Sequence, residues 1–95
     1  MNVRFTSESV NDLQRVVEFI EVKNPFAAKR IAIDIQEGIA RLKIFPYLGL
    51  PVIKADNPEL IRDLYVRDYT VRYLIEDKDI YILRVWHNRE AEKDS

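Results

Sequence analysis

Apolar and polar residues alternate at the start of the chain, where Val3 and Phe5 are set between Asn2, Arg4 and Thr6 at the period of a short half-buried strand. Thr6-Ser7-Glu8 then offers a hydroxyl N-cap and a first-turn carboxylate, and Val10, Leu13, Val16, Val17 and Ile20 follow at helical spacing. This predicts a first helix from about Ser7 to Lys23. Asn24-Pro25 reads as a second N-cap with proline at the first helical position, where its missing N–H costs nothing. Ala28, Ile31, Ala32, Ile35, Ile39 and Leu42 recur beyond it at three- and four-residue spacing, with Lys29, Arg30, Asp34, Glu37, Arg41 and Lys43 between them. The second amphipathic helix should run to about Ile44 and pack on the first as a hairpin.

Pro46, Gly49, Pro51 and Asp56-Asn57-Pro58 break regular structure, so Pro46 to Pro58, with Lys54 inside it, reads as a loop. Three β-rich runs follow, Ile61–Val66, Tyr69–Glu76 and Asp79–His87, joined by Arg67-Asp68 and Asp77-Lys78. Joints this short connect antiparallel neighbours. Asn88 to Ser95 is a polar tail that can fray or order on a partner. The order β-α-α-β-β-β is α+β: a helical hairpin laying its apolar stripe on one face of an antiparallel sheet.

Alternation across a strand puts Tyr69, Val71, Tyr73 and Ile75 on one face, and Tyr81, Leu83 and Val85 on one face of the next strand, toward the helices. The opposite sets are Arg62, Leu64 and Val66; Thr70, Arg72 and Leu74; and Ile80, Ile82, Arg84 and Trp86. Each strand thus gives an arginine to the face away from the helices, among more apolar surface than a free face carries. A single arginine there is ordinarily solubilising, its stem lying over apolar neighbours. Three of them together with Trp86 point to a partner covering the face.

Composition narrows the function. At 95 residues the chain is sized for one domain, 1–95, and 47% hydrophobic content suffices for a core. With no cysteine and one histidine it has no disulfide framework and no thiolate or multi-histidine metal site, and no cofactor is expected. The N-terminus has no secretory pattern and no apolar run approaches membrane-spanning length, so the chain is read as cytoplasmic with no membrane contact. Fifteen basic against sixteen acidic residues give a net charge of −1, which argues against general phosphate binding. From Glu59 onward seven Lys/Arg face nine Asp/Glu.

His87, where the last strand meets the tail, stands near Arg84 and Arg89 in sequence and has the residue type for general acid or base work on an RNA 2′-OH, with arginines holding the phosphate. A strand-end histidine bonded to backbone is the more frequent case. Asp34 with Glu37, and Asp77 with Asp79, are ordinarily surface and turn chemistry. Glycine-rich phosphate loops, nucleophile elbows and His-x-x-x-His patterns are absent.

The run Ile61-Arg62-Asp63-Leu64, then Tyr69-Thr70-Val71-Arg72-Tyr73, then Ile80 to Arg89, resembles the sheet of the RelE/ParE toxins. Pro25-x-x-Ala28 opening the second helix, and Leu42, Pro46 and Gly49-x-Pro51 after it, are similar too. The resemblance implies the toxin half of a type II toxin–antitoxin pair, with a cognate antitoxin whose flexible segment folds on it. Arg62, Leu64, Arg72, Leu74, Ile82, Arg84 and Trp86 are the expected antitoxin contacts. RelE-like members cleave mRNA on the ribosome, and ParE-like members inhibit DNA gyrase and block replication without chemistry of their own. In the first case Arg62, Arg72, Arg84, His87 and Arg89 would surround the scissile phosphate. Leu64 and Thr70 stand where RelE-type members carry cations, and no tyrosine follows Trp86. These departures and the acidic C-terminal half favour the ParE-like branch, with a relic that only binds antitoxin as a third reading and a homodimer or a higher toxin–antitoxin assembly open.

Overall fold

The computed structural model describes residues 1–90, so the expected polar tail lies outside the described residues from position 91 onward. Two helices, α1 (Ser7–Glu21) and α2 (Pro25–Leu42), pack on a five-stranded sheet of order β1-β5-β4-β3-β2. Its strands are β1 (Asn2–Phe5), β2 (Leu50–Pro51), β3 (Ile61–Val66), β4 (Tyr69–Glu76) and β5 (Asp79–His87).

Both helices start where side chains can satisfy their first N–H groups. Thr6 Oγ1 accepts from Ser9 N at 3.1 Å and Asn24 Oδ1 accepts from Ala27 N at 3.1 Å. The Thr6 hydroxyl also reaches the carbonyls of Ile82 and Leu83, at 3.1 and 3.0 Å, so one residue ends β1, caps α1 and ties both to β5. α2 stops two residues before the expected end because its last turn tightens: Lys43 N bonds Ala40 O and Ile44 N bonds Arg41 O, each three residues back.

The three long strands pair antiparallel with the expected boundaries. Two features of the sheet were not foreseen. β1 pairs parallel to β5, Asn2 opposite Asp79 and Phe5 opposite Ile82, which makes the sheet mixed. Leu50 and Pro51, inside the expected loop, pair antiparallel with Asp63 and Arg62. Both tight joints hold their first central residue at positive φ, 52° at Arg67 and 54° at Asp77, a position where glycine is usual.

The faces of β3 and β5 differ from the parity expectation. Leu64 pairs with Val71 and Val66 with Tyr69, so the β3 set of Arg62, Leu64 and Val66 shares the helix-facing side with Tyr69, Val71, Tyr73 and Ile75. On β5, Tyr73 pairs with Ile82 while Arg72 pairs with Arg84, leaving Leu83 as the extra residue of a bulge. The bulge switches the parity of β5, so Ile80 and Ile82 before it and Val85 after it all enter the core. Leu64, Val66, Ile80 and Ile82 are therefore core residues against the helices, not outer-face residues. Alternation sorts residues into two sets but does not say which set is inward, nor does it survive an inserted residue.

Val16, Ile35, Ile39 and Leu42 meet this sheet face. Gly38 lies where α2 crosses β3: a Cβ there would come within 2.9 Å of Val66 Cγ2 and 3.3 Å of Leu64 Cδ2. Gly49 is tighter, since its Cβ would lie 2.7 Å from the Asp63 carbonyl oxygen and 2.8 Å from the Tyr73 ring. Gly49→Ala is expected to cost about 1–3 kcal/mol by forcing β2 off β3, read as a lower thermal midpoint with the far-UV spectrum retained.

Candidate functional site

The arginines of the three long strands are each committed to a different acceptor. Arg62 is buried, and its guanidinium donates to the carbonyls of Gly49 at 2.9 Å, Glu59 at 3.0 Å and Tyr47 at 3.4 Å while stacking over the Tyr47 ring. Its register partner Tyr73 works on the same segment, accepting from Gly49 N at 2.9 Å and donating to Pro46 O at 2.8 Å. Together they staple residues 46–59 to the sheet. Burial pushes the Tyr73 phenol up from its ordinary value, against the pull of the Gly49 N–H and Arg62.

Arg72 lies on the face away from the helices, as expected, in a bidentate pair with Asp63 at 2.8 and 2.9 Å, its guanidinium over the Trp86 ring at 5.1 Å. Both Arg72 and Trp86 are buried by this arrangement. Arg84 turns instead to α1, where Asp12 accepts from its Nε at 2.8 Å and its Nη2 at 3.1 Å and also from Val85 N at 2.9 Å. Burial pushes the Asp12 carboxyl up, but the Arg84 bonds, the Val85 N–H and nearby Arg15 outweigh it and leave the group below its ordinary value.

His87 sits at the far end of β5, with its ring edge-on to Tyr69 at 5.0 Å. Its Nδ1 accepts the Arg89 N–H at 3.0 Å, which leaves Nε2 to carry the proton of the neutral ring. Glu90 closes the corner, accepting from His87 N at 2.9 Å and from Arg15 at 2.7 Å. A cleft of about 580 Å³ opens here between α1 and the sheet, lined by Arg15, Val16, Phe19, Tyr69, His87 and Arg89 among others. Burial first, then the charges of Asp68 and Glu90, raise the Tyr69 phenol.

The candidate catalytic residues are therefore not gathered at one point. His87 and Arg89 meet at the cleft, whereas Arg72 is paired with Asp63 on the other face of the sheet and Arg84 with Asp12 on α1. Arg62 is four positions along β3 from Val66, whose cross-strand neighbours lead through Tyr69 to His87, a separation of about 13 Å at the rise of a strand. Of the expected antitoxin contacts, Leu64 and Ile82 lie in the core and Arg62 serves the loop staple, while Arg72, Leu74 and Trp86 keep the face away from the helices.

The residues that sequence reasoning missed are the acceptors, above all Asp12 and Asp63. Ser9, Asp12 and Val16 are the buried residues of α1, whereas Val10 is 41% exposed. Their three- and four-residue spacing was available as a signal, but a carboxylate on that stripe reads as surface until its cation is known. Among the described residues no group of three or more His, Asp or Glu side chains is placed to hold a metal ion, and no helix is long and apolar enough to cross a membrane.

A search of curated proteins returned no match. A solved structure entitled "Chromosomal ParDE TA system from P. aeruginosa" contains a chain of the same fold, with a TM-score of 0.77 at 22% identity, covering 92% of this chain and 95% of that one. A family model described as "ParE toxin of type II toxin-antitoxin system, parDE" matches residues 3–92. With a match over nearly its whole length, and helices and sheet in the order that its sequence pattern predicts, the chain belongs to the ParE toxin family of type II toxin–antitoxin systems.

Proposed function

We propose that this toxin acts by binding DNA gyrase and blocking replication, and that a cognate antitoxin neutralises it by covering the sheet. The observation that carries the reading is the commitment of Arg62, Arg72 and Arg84 to separate internal acceptors. Cleavage of RNA requires cations and an acid or base converging on one phosphate, and these side chains are spent on the fold. A toxin that inhibits by contact needs no such convergence. For the antitoxin we retain the face away from the helices, where Leu74 keeps partial accessibility. The solved structure of similar fold, entitled a chromosomal ParDE TA system from P. aeruginosa, is the precedent for a paired antitoxin here.

The test is ATP-dependent supercoiling by purified gyrase, titrated with the toxin alone and with toxin preincubated with antitoxin. Inhibition relieved by antitoxin is the expected result. His87→Ala should retain both inhibition and cell killing, at a stability loss of about 1 kcal/mol for the lost edge contact with Tyr69. Ribosome-dependent mRNA cleavage by the parent chain that disappears in a folded His87→Ala variant would sink the proposal in favour of an endoribonuclease.

A further inference from the structure

From the end of α2 to just past β2 the chain carries a series of apolar residues that are not buried. Ile44, Phe45, Tyr47, Leu48, Leu50 and Ile53 stand between 45 and 81% exposed, and Tyr65 on β3 joins them at 56%. Two shallow clefts join all of these except Ile53, which follows β2 in the chain. One is lined by Ile44, Phe45, Tyr47 and Leu48, the other by Phe45, Leu48, Leu50 and Tyr65 with Arg41 beside them. At roughly 200 Å² per large side chain, these exposures leave on the order of 800 Å² of apolar surface. That exceeds the 300–600 Å² of the largest patch on a typical monomer, roughly speaking, and matches the ~800 Å² that one partner gives to a standard interface.

We propose that this face joins two copies of the chain as a two-fold dimer. Strand addition is disfavoured along β2, because it comprises only Leu50 and Pro51 and Pro51 has no N–H to offer. Contact therefore rests on side chains, with Phe45 and Leu48, common to both clefts, as anchors. The surrounding exposed charges carry both signs: Arg41, Lys43 and Lys54 with Asp56 and Glu59. A patch of mixed sign can meet its own copy with opposite charges facing, whereas a strongly charged partner would be met by a rim of one sign. A net charge of −1 adds little repulsion between copies.

The experiment is sedimentation velocity of the full chain, freed of antitoxin, across the micromolar range, with hydrogen exchange measured at both ends of that range. The expected result is a concentration-dependent species of twice the monomer mass, with slower exchange over residues 44–53 as it forms. Leu48→Asp combined with Ile53→Asp should return the chain to monomer while keeping the thermal midpoint that the parent shows at the dilute, monomeric end of the range, since both side chains are exposed. Val22→Asp with Phe26→Asp, on the hairpin between the helices, should leave the dimer intact. A monomer throughout the range overturns the proposal. So does a dimer broken by the hairpin substitutions instead, or protection of 44–53 that appears only on adding antitoxin, which would assign the face to that protein.

Discussion

Asp12→Ala is expected to be among the most damaging single substitutions in the chain, costing about 3 kcal/mol by leaving the Arg84 guanidinium and the Val85 N–H without their acceptor. The Asp12 side chain is only 6% exposed and that of Arg84 23%, so water reaches the orphaned cation in part, which sets the expectation at the lower end for a broken buried pair. Against a total stability of about 5–15 kcal/mol for domains generally, the loss should be plain in a urea titration as a lower midpoint at unchanged slope. Replacing both partners, Asp12→Leu with Arg84→Met, should recover the part of the loss that comes from the unpaired charge, leaving the part that comes from the Val85 N–H, which still lacks its acceptor. A single variant as stable as the parent would mean that Asp12 does not hold α1 to β5.

The same carboxylate sets an acid limit. Its folded-state pKa is lowered relative to the usual 3.8, so in the acid range the unfolded chain binds the proton more readily than the folded one. The stability that Asp12 contributes is fully present above the unfolded value and is lost as pH falls through 3.8 toward the depressed folded value. Asp12→Asn should flatten that part of the stability profile. At the other end, the raised phenols of Tyr69 and Tyr73 favour the neutral form in the folded chain. Their contribution is present below the ordinary value of 10.0 and is lost as pH climbs above it.

Tyr73→Ala should cost about 3–5 kcal/mol, as large-to-small changes of buried aromatics do. Tyr73 is fully buried at the centre of β4, and its hydroxyl is one half of the staple on residues 46–59. Tyr73→Phe separates the two contributions. It keeps the ring in the core and removes only the acceptor for Gly49 N and the donor to Pro46 O, for about 1–3 kcal/mol when those groups are left unsatisfied. Hydrogen exchange should locate the effect: Tyr73→Phe is expected to speed exchange at Gly49 and its neighbours while β4 and β5 stay protected. Equal losses for the two variants would place the whole contribution in the hydroxyl and contradict the packing argument.

The helices were legible because their information is local. Thr6 and Asn24 cap them, Pro25 starts the second, and the apolar spacing of Ile35, Ile39 and Leu42 marks the face that the core receives. The three long strands were legible for the same reason, each bounded by a polar two-residue joint. The family was legible in the resemblance of the runs Ile61–Leu64, Tyr69–Tyr73 and Ile80–Arg89 to the toxin sheet. β2 escaped notice because its two residues, Leu50 and Pro51, carry no periodic signal, and their strand character exists only in pairing with β3.

The site was a different matter. Which side of β3 and β5 faces the helices depends on register and on the bulge at Leu83, and both are set by contacts between segments distant in sequence. The fate of the arginines is likewise a matter of partners. Arg62 finds carbonyls 3, 13 and 15 residues away, Arg72 a carboxylate 9 residues away, and Arg84 a carboxylate 72 residues away. By itself the sequence determined the elements and their order, since these rest on period, caps and turn residues read within a few positions, and it carried the family in the resemblance of its strand segments to the RelE/ParE toxins. Only the tertiary structure decided which side chains are inward and which charges are neutralised, because burial and ion pairing are properties of neighbours in space.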